Sequence, residues 1–177
     1  MIFRKVIIAL CAGATLYLAA SEEVYPADKE NLEFSVFLVE EKDSYGPRDP
    51  IYLKFKLKNS GKKPVMVNKR FFLNSKKSPP VTRDVYLEIT GPSGKKIEER
   101  ETNYETGYPR TVDFTNLKSD AEAESKYKRN LRAYFDLKSA GTYTITAFYK
   151  NSCGDELDLD VFKKEITSHP IKIVIKE

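Results

Sequence analysis

Apolar and polar residues alternate with a period of two along most of the chain. The clearest segment is 51–57, where the odd positions are apolar and the polar face carries Lys54, Lys56 and the following Lys58. A half-buried antiparallel strand requires this pattern, whereas a helix would scatter the lysines around its surface. The same alternation marks 32–38, 65–67, 85–89, 143–149 and 171–175, with shorter pieces at Ile97 and 112–114. The pattern predicts an all-β chain of seven to nine strands, arranged as an antiparallel β-sandwich.

Two features of this pattern leave alternatives open. Residues 119–122 form a capping-box sequence, which favours a short helix over about 120–129. Ala123, Ser125 and Tyr127 could equally line one side of a strand, and we favour the strand because the flanking segments are all β. The lysines at 54–58 are also of the kind that protects an exposed edge strand from pairing.

The N-terminal segment predicts export. Arg4 and Lys5 precede an apolar stretch that ends in small residues near Ala20, which is typical of a secretory signal peptide. We therefore divide the chain into a signal peptide (1–20), a polar leader (21–31) and one β-sandwich domain (32–177), and expect a periplasmic or extracellular protein. An uncleaved anchor and lipidation of Cys11 are the alternatives that would tether it to a membrane.

Composition narrows the possible chemistry. The 177 residues include one His, two Cys and no Trp, and the formal charge is only +4. This charge does not indicate a nucleic-acid partner. His169 is the only imidazole, no Gly-x-Ser-x-Gly motif is present, and Cys153 is the one thiol beyond the signal peptide. Since a nucleophile–base pair or a His-based metal cluster cannot readily be assembled, we expect a protein that is not an enzyme.

Several short motifs are typical of turns and corners between strands. Leu137, Gly141 and Tyr143 have the Leu-x-x-x-Gly-x-Tyr spacing of a tyrosine corner, in which the tyrosine hydroxyl bonds back to the backbone. Residues 57–65, 140–147 and 162–171 are similar to the turn, strand and closing motifs of bacterial secreted immunoglobulin-like domains. The resemblance implies an immunoglobulin-like antiparallel β-sandwich and no catalytic residue.

Two aperiodic segments are candidate binding loops. The first supplies Arg100, Tyr104, Tyr108 and Arg110, and the second supplies the pair Phe71 and Phe72. Tyrosine among Gly, Thr and Asn is the composition of adaptable binding surfaces. The alternative is that the rings pack over the domain itself. We expect a module that binds a protein or a surface glycan.

The remaining alternatives are a secreted proteinase inhibitor and a carbohydrate- or calcium-binding module. A cluster of acids in a glycine-containing loop could offer oxygen ligands to Ca²⁺: Asp155, Glu156, Asp158 and Asp160. Asp158 and Asp160 also alternate with apolar residues, so they could instead form the solvent face of a strand. No other cofactor is indicated.

Overall fold

A computed structural model describes residues 31–79, 83–100 and 107–177. These residues form ten strands and one single-turn helix, α1 (Leu131–Tyr134). The strands are β1 (Leu32–Leu38), β2 (Tyr52–Asn59), β3 (Val65–Asn68), β4 (Val85–Thr90), β5 (Phe114–Leu117), β6 (Glu122–Glu124), β7 (Arg129–Asn130), β8 (Gly141–Tyr149), β9 (Ile166–Thr167) and β10 (Ile171–Ile175). The prediction of an all-β fold is therefore confirmed.

The ten strands are arranged in three antiparallel sheets, none of which closes into a barrel. One sheet has the order β1–β2–β6, with β7 pairing further along β2. The second has the order β10–β8–β4, with β9 pairing to β8. A two-stranded ribbon, β3–β5, makes the third. Since β2 leads into β3 at Val65 and β5 leads into β6 after Leu117, and Val65 pairs with Leu117, both connections to the first sheet leave from the same end of the ribbon.

Side chains of the two larger sheets meet in one hydrophobic core. Phe34 of β1 packs on Phe55 of β2, with ring centroids 6.0 Å apart, and on Tyr149 of β8, at 5.7 Å. Leu53, Phe55 and Ile145 are completely buried, in the positions that the period of two predicts. Burial of these alternate positions is what makes the sequence pattern informative.

Residues 120–129 are not helical. Strand β6 pairs with β2 so that Lys58 lies opposite Glu122 and Lys56 opposite Glu124. The Lys54 Nζ lies 2.6 Å from a carboxylate oxygen of Glu124, and the Lys56 Nζ lies 3.2 Å from one of Glu122. The acids thus pair across strands instead of along a helix. Strand β2 is central to its sheet, so the expectation that its lysines guard a free edge is wrong.

Two short predicted strands form only in part: Phe114 of the second begins β5, and Ile97 of the first makes one backbone bond to β4. The Ile97 N–H donates to the Ile89 carbonyl at 2.8 Å after the 91–94 turn, but the return pairing stops there, and Glu99 bridges to Phe135 instead. Val112 lies in a 3₁₀ turn, Thr111–Asp113, and is 67% exposed. That turn is fixed by the Asp113 carboxylate, which accepts the N–H of Arg110.

The corner between Leu137 and Tyr143 is held by one hydrogen bond. The buried Tyr143 hydroxyl donates to the Ser139 carbonyl at 2.8 Å, and the Leu137 side chain is buried beside the core. Gly141 has a φ of +127°, and a Cβ there would come within 2.7 Å of Pro92 Cβ. Glycine is therefore required at this position by both conformation and space.

Asn59 ties together the two turns that join the β3–β5 ribbon to the first sheet. Its fully buried side chain donates from Nδ2 to the carbonyls of Lys63 and Leu117, both at 2.8 Å. Its Oδ1 accepts the N–H of Gly61 at 2.9 Å, and its backbone carbonyl accepts the N–H of Asp120. We call this point, where the ribbon departs from the sheet, the Asn59 junction.

Replacing Tyr143 by Phe is expected to lower the free energy of unfolding by about 1–2 kcal/mol, since it removes the partly buried hydrogen bond to the Ser139 carbonyl and leaves a buried ring without its polar partner. Chemical denaturation measures the change. Tyr127→Phe is the matched control, because that side chain is 58% exposed. Equal stability of Tyr143→Phe and wild type would contradict a structural role for this bond.

Candidate functional site

A groove of about 560 Å³ opens between the start of β5 and the chain that follows β6. Its walls come from three separate segments: 69–72 after β3, 107–113 before β5, and 124–127. We call it the tyrosine groove and define it by Lys69, Phe72, Tyr108, Arg110, Lys126 and Tyr127. No single segment of sequence contains the site, because long-range strand pairing brings its walls together.

Exposed rings distinguish this groove from the rest of the described surface. Among the described residues, five large hydrophobic side chains are exposed, and three of them are Tyr108, Val112 and Tyr127. Tyr108 is 78% exposed and Tyr127 is 58% exposed, both on the groove. Val112 is 67% exposed and lies between two groove residues in sequence, Arg110 and Asp113. A concentration of exposed apolar surface at one place is typical of an interaction site.

A buried ion pair forms the base of the groove. Arg70 Nε and Nη2 donate to the two carboxylate oxygens of Asp84 at 2.9 and 2.8 Å, and both side chains are at least 95% buried. Arg70 Nη1 also donates to the Gly107 carbonyl at 2.8 Å. Burial lowers the pKa of Arg70, but the hydrogen bonds and charge of Asp84 outweigh this effect and the pKa is raised. The Arg70 guanidinium therefore stays charged, and its bonds to Asp84 and Gly107 link two walls of the groove.

Two further hydrogen bonds satisfy the carboxylate oxygens of Asp84. Asn68 Nδ2 donates to one carboxylate oxygen at 3.0 Å, and the backbone N–H of Phe72 donates to the other at 2.9 Å. The Arg70 guanidinium carbon lies 4.2 Å from the centroid of the Phe72 ring, within the range of a cation–π contact. Phe72 is thereby held at the groove by both its backbone and its ring.

Phe71 points the opposite way and corrects one prediction. It has a φ of +51°, and its side chain is completely buried, 6.1 Å from the ring of Tyr149. A non-glycine residue in this conformation is unusual. The reversal places Phe71 in the core while Arg70 and Phe72 stay at the groove, so Phe71 offers no contact surface.

Lys69 and Lys126 contribute positive charge without a carboxylate partner in the part of the chain that the structure describes. Both line the groove, and Lys126 Nζ lies 5.1 Å from the centroid of the Tyr127 ring. The two acids on the groove are already engaged. Glu124 pairs with Lys54, and Asp113 accepts the N–H of Arg110. The groove therefore presents unbalanced cations beside exposed rings.

The structure separates the predicted binding residues. It brings Phe72, Tyr108 and Arg110 together at the tyrosine groove. Arg100 lies in a different cleft and pairs with Asp136 at 2.8 Å. Tyr104 lies outside the described residues. Sequence reasoning did not select Lys69, Arg70, Lys126 and Tyr127, because nothing local indicates that these segments converge.

The acidic loop is not assembled as a cation site. Asp155 pairs with Lys163, and Asp158 takes a left-handed conformation that ends the 3₁₀ turn Asp155–Leu157. Glu156 accepts the N–H of Gly154 at 3.1 Å. Asp160, like the others, belongs to no group of three or more potential ligands close enough to hold a metal ion within the described residues.

The thiol and the imidazole found among the described residues, Cys153 and His169, lie apart from the tyrosine groove. Cys153 is buried beside Phe114 and Val161, and this burial raises the pKa of its thiol. His169 is exposed and borders a separate cleft between β1 and β9, together with Phe34. Neither side chain lines the tyrosine groove.

Comparisons with family models and with curated proteins identify no related protein. No protein-family model matches the chain, and a search of curated proteins finds no significant match. Within the described ranges, none of the helical segments has the length and apolar character needed to cross a membrane. The class that the structure itself defines is an all-β domain of open antiparallel sheets with one aromatic, cationic groove.

Replacing Asp84 by Asn is expected to destabilise the fold by about 3–5 kcal/mol, because it leaves the Arg70 cation buried without its counter-charge. Thermal and chemical unfolding measure this loss. In a double-mutant cycle, Arg70→Met/Asp84→Asn should lose less than the sum of the two single variants. Additive losses would show that the two side chains do not act as a pair.

Proposed function

We propose that this chain is an exported, non-catalytic binding module with an immunoglobulin-like β-sandwich fold, and that the tyrosine groove binds a partner protein. The observation that carries the proposal is the pair of exposed rings, Tyr108 and Tyr127, on opposite walls of a groove. The wall that carries Tyr108 is anchored by the buried Arg70–Asp84 pair through the Gly107 carbonyl. Tyrosine and arginine are the side chains most often responsible for binding energy at protein interfaces.

The fold part of the proposal rests on three features. The two larger sheets are antiparallel and share one core. The Tyr143 hydroxyl bonds to the backbone four residues earlier, as in a tyrosine corner. The motifs at 57–65, 140–147 and 162–171 resemble those of secreted immunoglobulin-like domains. The proposal of export rests on the signal-peptide pattern of residues 1–20.

Rigid support favours a binding role for the groove. Phe72 is held by Asp84 and by the Arg70 guanidinium, and the Gly107 carbonyl next to Tyr108 is held by the same guanidinium. A surface that is ordered before it meets a partner loses less conformational entropy on binding. The groove thus combines exposed apolar area with a fixed backbone.

The test is capture of partners from a cell-envelope extract with the mature domain and with the double variant Tyr108→Ala/Tyr127→Ala. We expect the wild type to retain a partner that the double variant loses. Because both side chains are more than half exposed, the variant should melt within a few degrees of wild type.

The matched control is Val39→Ala/Val174→Ala, which removes two other exposed apolar side chains that do not line the groove. It should retain the partner as well as the wild type does. A partner held equally by all three proteins, or by none, would contradict the assignment of the binding surface. A large loss of stability in Tyr108→Ala/Tyr127→Ala would place these rings in the core.

A further inference from the structure

We infer that the tyrosine groove binds an extended, acidic segment of the partner protein, which adds to the free edge of β6. This inference rests on the proposed function and names the chemistry of the ligand. It follows from two independent features of the groove, the charge of its side chains and the strand edge of β6, which reaches the groove at Glu124.

The charge of the groove selects an acidic ligand. Lys69 and Lys126 have no carboxylate partner among the described residues. The Arg110 side chain is 79% exposed, and its Nε lies 3.8 Å from an Asp113 carboxylate oxygen, too far for a hydrogen bond. The carboxylate of Glu124 is neutralised by Lys54 at 2.6 Å. Complementary charge steers association and rejects partners of the wrong sign. An acidic segment is therefore the ligand that these cations fit.

The strand edge selects an extended peptide over a glycan. Strand β6 is the last strand of its sheet on this side, and within the described ranges no strand pairs with its outer edge. The Ser125 N–H donates inward to the Phe55 carbonyl at 2.8 Å. Since backbone groups alternate in direction along a strand, the N–H and C=O of Glu124 point outward. An extended peptide uses such groups by strand addition, and a sugar does not.

The rings of Tyr108 and Tyr127 provide apolar contacts for the same peptide. A peptide paired with β6 presents alternate side chains to the same face, so acidic residues at every second position meet the cations together. Tyr127 follows β6 directly, and Tyr108 is on the opposite wall. The two exposed rings would cover the apolar side chains that lie between the acids.

The test is a fluorescence-polarisation titration of the mature domain with a labelled peptide of alternating aspartate and valine. We expect saturable binding that weakens with salt, and about tenfold weaker binding of the same peptide with asparagine for aspartate. The variant Lys69→Glu/Lys126→Glu should weaken binding by about tenfold or more. The control Lys62→Glu/Lys172→Glu makes the same charge change at exposed positions that do not line the groove, and should keep wild-type affinity.

The strand-addition geometry has its own test. Glu124→Pro removes the outward N–H from the edge of β6 together with the Glu124 side chain. Glu124→Ala, which removes the side chain and keeps the N–H, is its control. We expect Glu124→Pro to bind the peptide more weakly than Glu124→Ala at equal melting temperature. In the wild type, hydrogen exchange at the Glu124 amide should slow when the peptide is bound.

Three outcomes would overturn the inference: no binding of the aspartate peptide, equal binding of the asparagine peptide, or an oligogalacturonate of the same charge binding as tightly as the peptide. If one of these occurs while the envelope partner is still lost by Tyr108→Ala/Tyr127→Ala, the proposed binding function stands and only the ligand class is wrong. If the peptide fails and the partner is also insensitive to the rings, both proposals are wrong.

Discussion

The buried ion pair between Arg70 and Asp84 fastens the segment after β3 to the start of β4, beside the backbone bonds that Phe72 and Asn74 make with Val85. Arg70 follows the end of β3 and Asp84 immediately precedes β4, so the pair ties the two-stranded ribbon to the second large sheet. Burying two charges is costly, and a bidentate geometry with further hydrogen bonds from Asn68 and Phe72 is what compensates for the cost. The position of the groove wall follows from this network.

A second buried contact reinforces the same connection. The Tyr149 hydroxyl of β8 donates to the Asn68 carbonyl at 3.0 Å and accepts the Asn68 N–H at 3.1 Å. Burial raises the pKa of this hydroxyl, so it remains a neutral donor. Asn68 therefore contacts Asp84 through its side chain and Tyr149 through its backbone. The residues that position the groove are thus bonded to core strands, so its shape does not depend on loop conformation alone.

The sequence predicts the fold better than it predicts the site, for a physical reason. The period of two reports burial directly, so the cores of β1, β2, β4, β8 and β10 could be located in advance. Phe71 could not, because its inward direction depends on a left-handed backbone that no pattern of neighbours signals. The local sequence around Lys126 and Tyr127 predicts only that the preceding strand continues. They join Lys69 and Tyr108 only through the pairing of β6 with β2 and of β5 with β3.

The Asn59 junction affects the distance between the walls of the groove. The ribbon and the first sheet meet at the Asn59 side chain. The groove opens at the opposite end of β5, and four residues of strand separate that end from Asn59 by about 13 Å. At that distance a change of about 5° in the angle between the ribbon and the sheet displaces the groove wall by roughly 1 Å. The hydrogen bonds of Asn59 thus hold the point from which the separation of the groove walls is set. A substitution in the turn at 60–64, remote from every ring and cation of the groove, can alter how closely its two walls approach.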